Sequence, residues 1–129
     1  MAERQNFSSG AKWEDAVGYS RVVRVGQVIE VSGTVAVDEE GNVVGINNAY
    51  EQTKYILQKI IQFVEKAGGR KEDITRTRVY LTDMFTWEEV GKAHSEYFKK
   101  IKPVTSFLEV KSLIGPEYLV EIEVTAIVH

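Results

Sequence analysis

Between Tyr19 and Val37 the stretch YSRVVRVGQVIEVSGTVAV is dense in β-branched residues and broken at Gly26-Gln27, which predicts two strands joined by a tight turn. In the second arm Ile29, Val31, Gly33 and Val35 alternate with Glu30, Ser32 and Thr34, giving one apolar and one polar face. The period then changes. From Asn48 onward Ala49, Thr53, Ile56, Ile60, Phe63 or Val64, and Ala67 recur at three- and four-residue spacing, which predicts a helix. Asn48 with Glu51 resembles a capping box at its start, and Gly68-Gly69 supply a left-handed stop.

DITRTRVYLTD reads as a strand, with Thr75, Thr77, Val79 and Leu81 on one side and Arg76, Arg78 and Tyr80 on the other. A second helix is predicted from Thr86, paired with Glu89 as a capping box. It carries Val90, Ala93 or His94, Tyr97 and Ile101 on one face and ends at Pro103. Strands from Val104 to Lys111 and from Tyr118 to Val128 complete the pattern. In the last, Val120, Ile122, Val124 and Ala126 face one way and Glu121, Glu123 and Thr125 the other.

This order predicts an α+β fold, a single sheet with both helices packed on one face. The uncovered face would mix Val23, Val25, Tyr80, Phe107, Leu119 and Ile127 with Ser32, Glu109, Glu121 and Glu123. Such a surface is too apolar for water and too polar for an ordinary core. Burial against copies of itself is the expected solution, giving a symmetric homo-oligomer with ligand clefts where subunits meet.

Composition narrows the chemistry. At 129 residues one domain spanning 1–129 is expected, and without cysteine there is no thiol nucleophile, disulfide or thiolate metal site. Two histidines without close spacing predict no metal site, and no cofactor is expected. With 16 Lys+Arg scattered among 19 Asp+Glu, net charge is −3, so nucleic-acid binding is not expected. The leading MAERQNFSSGAKWED lacks the apolar run of a signal peptide, no stretch is apolar enough to span a membrane, and a cytoplasmic protein is expected.

Three segments carry a resemblance: GYSRVVRVGQVIEVSGTVAVDEEGNVVG, AGGRKEDITRTRVYLTDM, and PVTSFLEVKSLIGPEYLVEIEVTAIV. Together they resemble the Rid (reactive intermediate deaminase) family, also called YjgF-like or L-PSP endoribonuclease-like, from Gly18 to Val128. The resemblance implies a chorismate-mutase-like fold and a homotrimer with clefts at its subunit interfaces. In the deaminating branch, those clefts hydrolyse enamine or imine intermediates to a 2-keto acid and ammonia. An arginine there clamps the substrate carboxylate while a glutamate assists the attacking water. By position, the cleft tyrosine falls on Tyr19, the serine on Ser32 followed by Gly33, and the glutamate on Glu121.

The chain departs from that pattern at the clamp. Where deaminating members carry arginine two residues after a proline, this sequence reads Pro103-Val104-Thr105-Ser106, and an asparagine of the second helix is replaced by Gly91. A hydroxyl cannot make the bidentate ion pair of a guanidinium, whose charged hydrogen bonds are worth about 1.5–3 kcal/mol each. The resemblance alone therefore does not imply the usual arginine-dependent deaminase activity. Arg21, Arg24, Arg78 and Lys102 are the candidates for a relocated anion clamp. His94 is a candidate binding residue, with a partly buried structural histidine as its alternative, and Glu123 reads as an interface or surface charge. The expected ligand is a small carboxylate or imine metabolite. Imine or enamine hydrolysis is the first functional reading, a non-catalytic metabolite-binding trimer the second, and an endoribonuclease or translation inhibitor the third.

Overall fold

The computed structural model describes residues 3–129. In chain order it contains β1 (Arg4–Phe7), α1 (Lys12–Val17), β2 (Val22–Val25), β3 (Val28–Thr34), α2 (Ala49–Lys66), β4 (Ile74–Leu81), α3 (Trp87–Phe98), β5 (Val104–Glu109) and β6 (Val120–Ile127). The strands form one mixed sheet in the order β1-β2-β3-β6-β4-β5, antiparallel except for the β4·β5 pair. Strand β5 can run parallel to β4 because α3 crosses between them. No helix among the described residues is long and apolar enough to cross a membrane.

The predicted hairpin forms between β2 and β3, turning at Gly26 with φ +59°. The strong helical period materialises as α2, whose Ala49, Thr53, Ile56, Ile60 and Val64 are buried. Asn48 caps it, accepting the Glu51 amide at 3.0 Å, and Gly68 provides the left-handed exit at φ +92°. Arg24 donates from Nη1 to the Ala67 carbonyl at 2.7 Å, satisfying one of the carbonyls left open where the helix ends.

Helix α3 starts differently from its prediction. Thr86 makes no side-chain cap; its Oγ1 donates instead to the Asp83 carbonyl at 2.7 Å, while Asp83 itself accepts the Phe85 amide. A 3-10 turn over Met84–Thr86 leads into the helix, so the capping carboxylate sits three residues earlier than the sequence motif suggested. Two N-terminal elements, β1 and α1, have no counterpart in the sequence reading. Arg4–Phe7 has no β-branched residue, and α1 is six residues long, too short for a helical period to register.

The core lies between the helices and one sheet face, where Ile29, Val31, Val79, Leu81, Val120, Ile122, Val124 and Ala126 meet Ile56, Leu57, Ile60, Val90 and Phe98. Two irregularities on either side of β6 break simple alternation. The register slips between Val31 and Thr34, so Thr34 turns into the core at 2 % exposure although parity assigned it to the polar face. A second slip between Ile74 and Arg76 buries Ile74 and turns Thr75 outward, correcting its assignment to the core side.

The uncovered face exists, with a partly different membership. Val25, Val28, Val104, Leu108 and Ile127 stand 40–55 % exposed on it. Phe107 and Glu109 do not belong to it: they pair with the buried Val79 and Leu81, on the helix-covered side. Glu109 there accepts the Met84 amide at 2.8 Å, and Leu119 likewise packs against the core. The short β5 stretch VTSFLE has little polar/apolar contrast, so its facing could be fixed only by its pairing with β4.

Candidate functional site

Glu121 projects from β6 onto the open face, opposite Tyr80 of β4, with Glu123 two residues on and opposite Arg78. Burial raises its pKa first, the like charge of Glu123 raises it further, and Arg21 opposes both. Among the described residues Arg21 makes no ion pair with it. Glu123 is engaged elsewhere, as acceptor for the Tyr80 hydroxyl, and that bond raises the tyrosine's pKa.

The slip in β3 gives Gly33 its role. A Cβ at Gly33 would lie 2.5 Å from Glu121 Oε2, so the bare backbone allows the carboxyl to lie against the strand. Parity alone assigned Gly33 to the apolar face; the irregularity turns it toward Glu121. Ser32 donates from Oγ to the Ser20 carbonyl at 2.7 Å, so its hydroxyl proton is committed to the backbone.

Arg21 donates from Nη1 to the Gly33 carbonyl at 2.8 Å and to Thr34 Oγ1 at 3.3 Å. Its Cζ lies 5.8 Å from the centre of the Tyr19 ring, and that residue is 38 % exposed. The buried Glu14 ties this corner together. Its backbone carbonyl accepts the amides of Gly18 and Tyr19, and its carboxylate accepts the amide and hydroxyl of Ser9. Burial alone would raise the pKa of Glu14, but hydrogen bonds from Ser9 and Ser8 bring it below the usual carboxylate range. Tyr19, Arg21, Ser32, Gly33 and Glu121 thus form one cluster where β2, β3 and β6 run side by side.

Thr105 does not join it. It lies on β5, beyond β4 from Glu121, and on the helix-covered face with Thr77. Its Oγ1 is 2.8 Å from Thr77 Oγ1, which in turn is 2.9 Å from His94 Nε2. The His94 ring centre lies 4.7 Å from that of Phe98, and burial lowers its pKa, so the neutral imidazole is the favoured form. Thr105, His94 and Phe98 line an open cavity of about 380 Å³ together with Gly91, Ser95, Lys99, Lys102 and Pro103, with Thr77 buried behind them. Arg78 lies on the open face, opposite Glu123 and Ser106, and among the described residues forms no ion pair.

One chain therefore holds two separate clusters: the Glu121 group, and the Thr105 cavity on the other side of the sheet. Sequence reasoning missed Thr77, which links Thr105 to His94, because nothing in the chain announces that β4 and β5 pair in parallel. It also missed the contact of Thr34 with Arg21, which the slip in β3 creates. Lys102 lines the cavity with φ +55°, a left-handed conformation. For a residue other than glycine this costs about 1 kcal/mol, and the following Pro103 disfavours it further. Among the described residues no group of three or more His, Cys, Asp or Glu is placed to hold a metal ion.

Comparison with known proteins agrees with this architecture. The family model for endoribonuclease L-PSP matches residues 10–128. An uncharacterized protein of Streptomyces coelicolor is 36% identical over 123 residues, covering 95% of this chain and 90% of its own. A RutC family protein of Pyrococcus abyssi is 32% identical over 108 residues, 84% of each chain. The crystal structure of a Mycobacterium tuberculosis member of the YjgF/YER057c/UK114 family superimposes with a TM-score of 0.88 at 43% identity, covering 98% of this chain and all of that one. By the extent of these matches and by its fold, the chain belongs to the endoribonuclease L-PSP family, the YjgF/Rid family that its motifs resemble.

Proposed function

We propose that the chain assembles as a homotrimer and hydrolyses a small metabolite containing a C=N bond, in clefts where the Glu121 half-site of one subunit meets the Thr105 half-site of the next. The observation that carries this reading is the environment of Glu121, a half-buried carboxyl with a raised pKa lying against the bare backbone of Gly33. A carboxyl so held exchanges protons closer to neutral pH than an exposed glutamate, which suits general acid–base work. Water adds to the C=N carbon as Glu121 takes its proton. That proton passes to nitrogen, and collapse of the carbinolamine releases ammonia and leaves a carbonyl. The exposed apolar residues of the sheet's open face support assembly, since monomers rarely leave such a face in water.

One observation favours a second reading, binding without turnover. The Thr105 hydroxyl is hydrogen-bonded within the chain to Thr77 and Pro103, so it is committed to those partners and not placed to pass a proton to a bound molecule. The ribonuclease activity suggested by the family's description has less support. Of the two histidines, His94 is packed against Phe98 and His129 lies 3.3 Å from Asp73, so no pair is available for general acid–base cleavage.

The deciding experiment measures solution mass and ammonia release from imines of several amino acids generated in situ. A trimer that accelerates release, with Glu121→Gln slower by about 100-fold or more, is the expected result. A trimer that releases no ammonia but gains melting temperature with 2-keto acids would replace this reading with the binding one. A monomer would defeat both.

A further inference from the structure

Four cations were candidates to hold an anion, and the structure separates them. Arg21 donates to the Gly33 carbonyl and Thr34, and Arg24 to the carbonyls of Gly26 and Ala67. Arg78 stands on the open face with Glu123 directly opposite. Lys102 differs from all three. It lines the cavity with Gly91, His94 and Thr105, where no acidic residue and one other cation, Lys99 at the regular helical end of α3, share the lining. Among the described residues its ammonium forms no ion pair and no hydrogen bond within the chain.

Its backbone is the second observation. Lys102 ends the α3 segment in a left-handed conformation, its amide bonded to the Phe98 carbonyl at 2.8 Å. Glycine takes this conformation without strain, and a residue before proline is steered away from it. Retaining lysine here is costly for the fold, and strain of this kind collects at functional sites. At Gly91, on the same lining, an added Cβ would meet nothing closer than the Trp87 ring edge at 4.0 Å, leaving room for a ligand's carbon skeleton.

We propose that Lys102 is the anion-binding residue of the Thr105 half-site, holding the carboxylate of a small organic monoanion whose apolar part lies over Gly91. The inference rests on reading the cavity as a metabolite site, and it requires neither turnover nor Glu121. The compact ammonium makes a point contact with one carboxylate, where a guanidinium would grip two oxygens.

Calorimetric titration of the native protein with phenylpyruvate, pyruvate and the uncharged phenylacetone tests it. Phenylpyruvate is expected to bind at least tenfold tighter than phenylacetone, and more tightly than pyruvate. Lys102→Gly, which relieves the backbone, should weaken phenylpyruvate binding at least tenfold while melting at or above the wild-type temperature. Lys66→Ala, a change of charge elsewhere, should leave affinity unchanged. Equal affinity in Lys102→Gly, equal loss in Lys66→Ala, or failure to prefer the anion would each overturn the proposal. A wild type that binds phenylpyruvate through Lys102 yet releases no ammonia defeats only the hydrolase reading. Ammonia release with an unchanged KM in Lys102→Gly defeats only this one.

Discussion

Gly33 and Glu121 share one small volume, and each constrains what the other can be. The backbone at Gly33 has no left-handed φ, so alanine is compatible with the strand; its Cβ conflicts only with the far end of the Glu121 side chain. Gly33→Ala should therefore stay within about 1 kcal/mol of wild-type stability. Because it displaces the carboxyl, it should cut turnover at least about tenfold, read from kcat for ammonia release beside a melting curve. Glu121 also links the site to pH. Its folded pKa lies above the ordinary value of 4.5, so the fold favours the protonated form. That contribution to stability is complete below the ordinary value and is lost as pH rises through the folded one. Glu121→Gln should thus melt higher than wild type at pH 7 and match it near pH 4. A gain that persists unchanged at pH 4 would show that titration is not its source. Alternation in the last strand was enough to put Glu121 on the open face. It could not find Gly33's contact, because one slipped residue reverses the facing of those that follow.

At the level of elements, legibility followed the strength of the period. Helix α2 was readable because its apolar positions repeat over five turns and its ends carry Asn48 and Gly68. At Gly68 an added Cβ would meet Arg24 Nη1 at 2.6 Å in a left-handed backbone. Gly68→Ala should cost about 1–2 kcal/mol in chemical denaturation, from backbone strain and loss of the Arg24 cap. Arg24→Ala at an unaltered Gly68 separates the two terms. Strand β5 was located but faced the wrong way, with Phe107 and Glu109 expected on the uncovered face and found on the helix-covered one. Thr105, which the resemblance places in an inter-subunit cleft as a lining residue, bonds within its own chain to Thr77 beneath α3. The short β1 and α1 went unread for want of pattern, although α1 supplies the Glu14 carbonyl that fixes the turn into Tyr19.

For the whole molecule, the two half-sites pose a geometric question that a single chain leaves open, since β4 and the thickness of the sheet separate Glu121 from Thr105. A second subunit seated on the open face is the simplest way to bring such groups together. Ile127→Glu adds a charge to that face, at a position 40 % exposed in the lone chain. On the proposed assembly it should leave circular dichroism unchanged while lowering the mass in sedimentation from trimer to monomer and abolishing ligand-induced stabilisation. Retention of the trimer would remove Ile127 from the interface. The two-faced character of the sheet was legible from alternation alone; what covers the open face was not, because no intrachain pattern encodes a contact between copies.

The strand order has a consequence for synthesis. Strands β3 and β4 flank β6 and pair with it rather than with each other, yet β6 is the last of these elements to leave the ribosome. Until it emerges, β1-β2-β3 and β4-β5 are separate ribbons with unpaired edges, and α2 has only part of the surface it packs on. Nascent chains on one messenger therefore cannot form a complete sheet, or expose a finished face to one another, before β6 has left the ribosome.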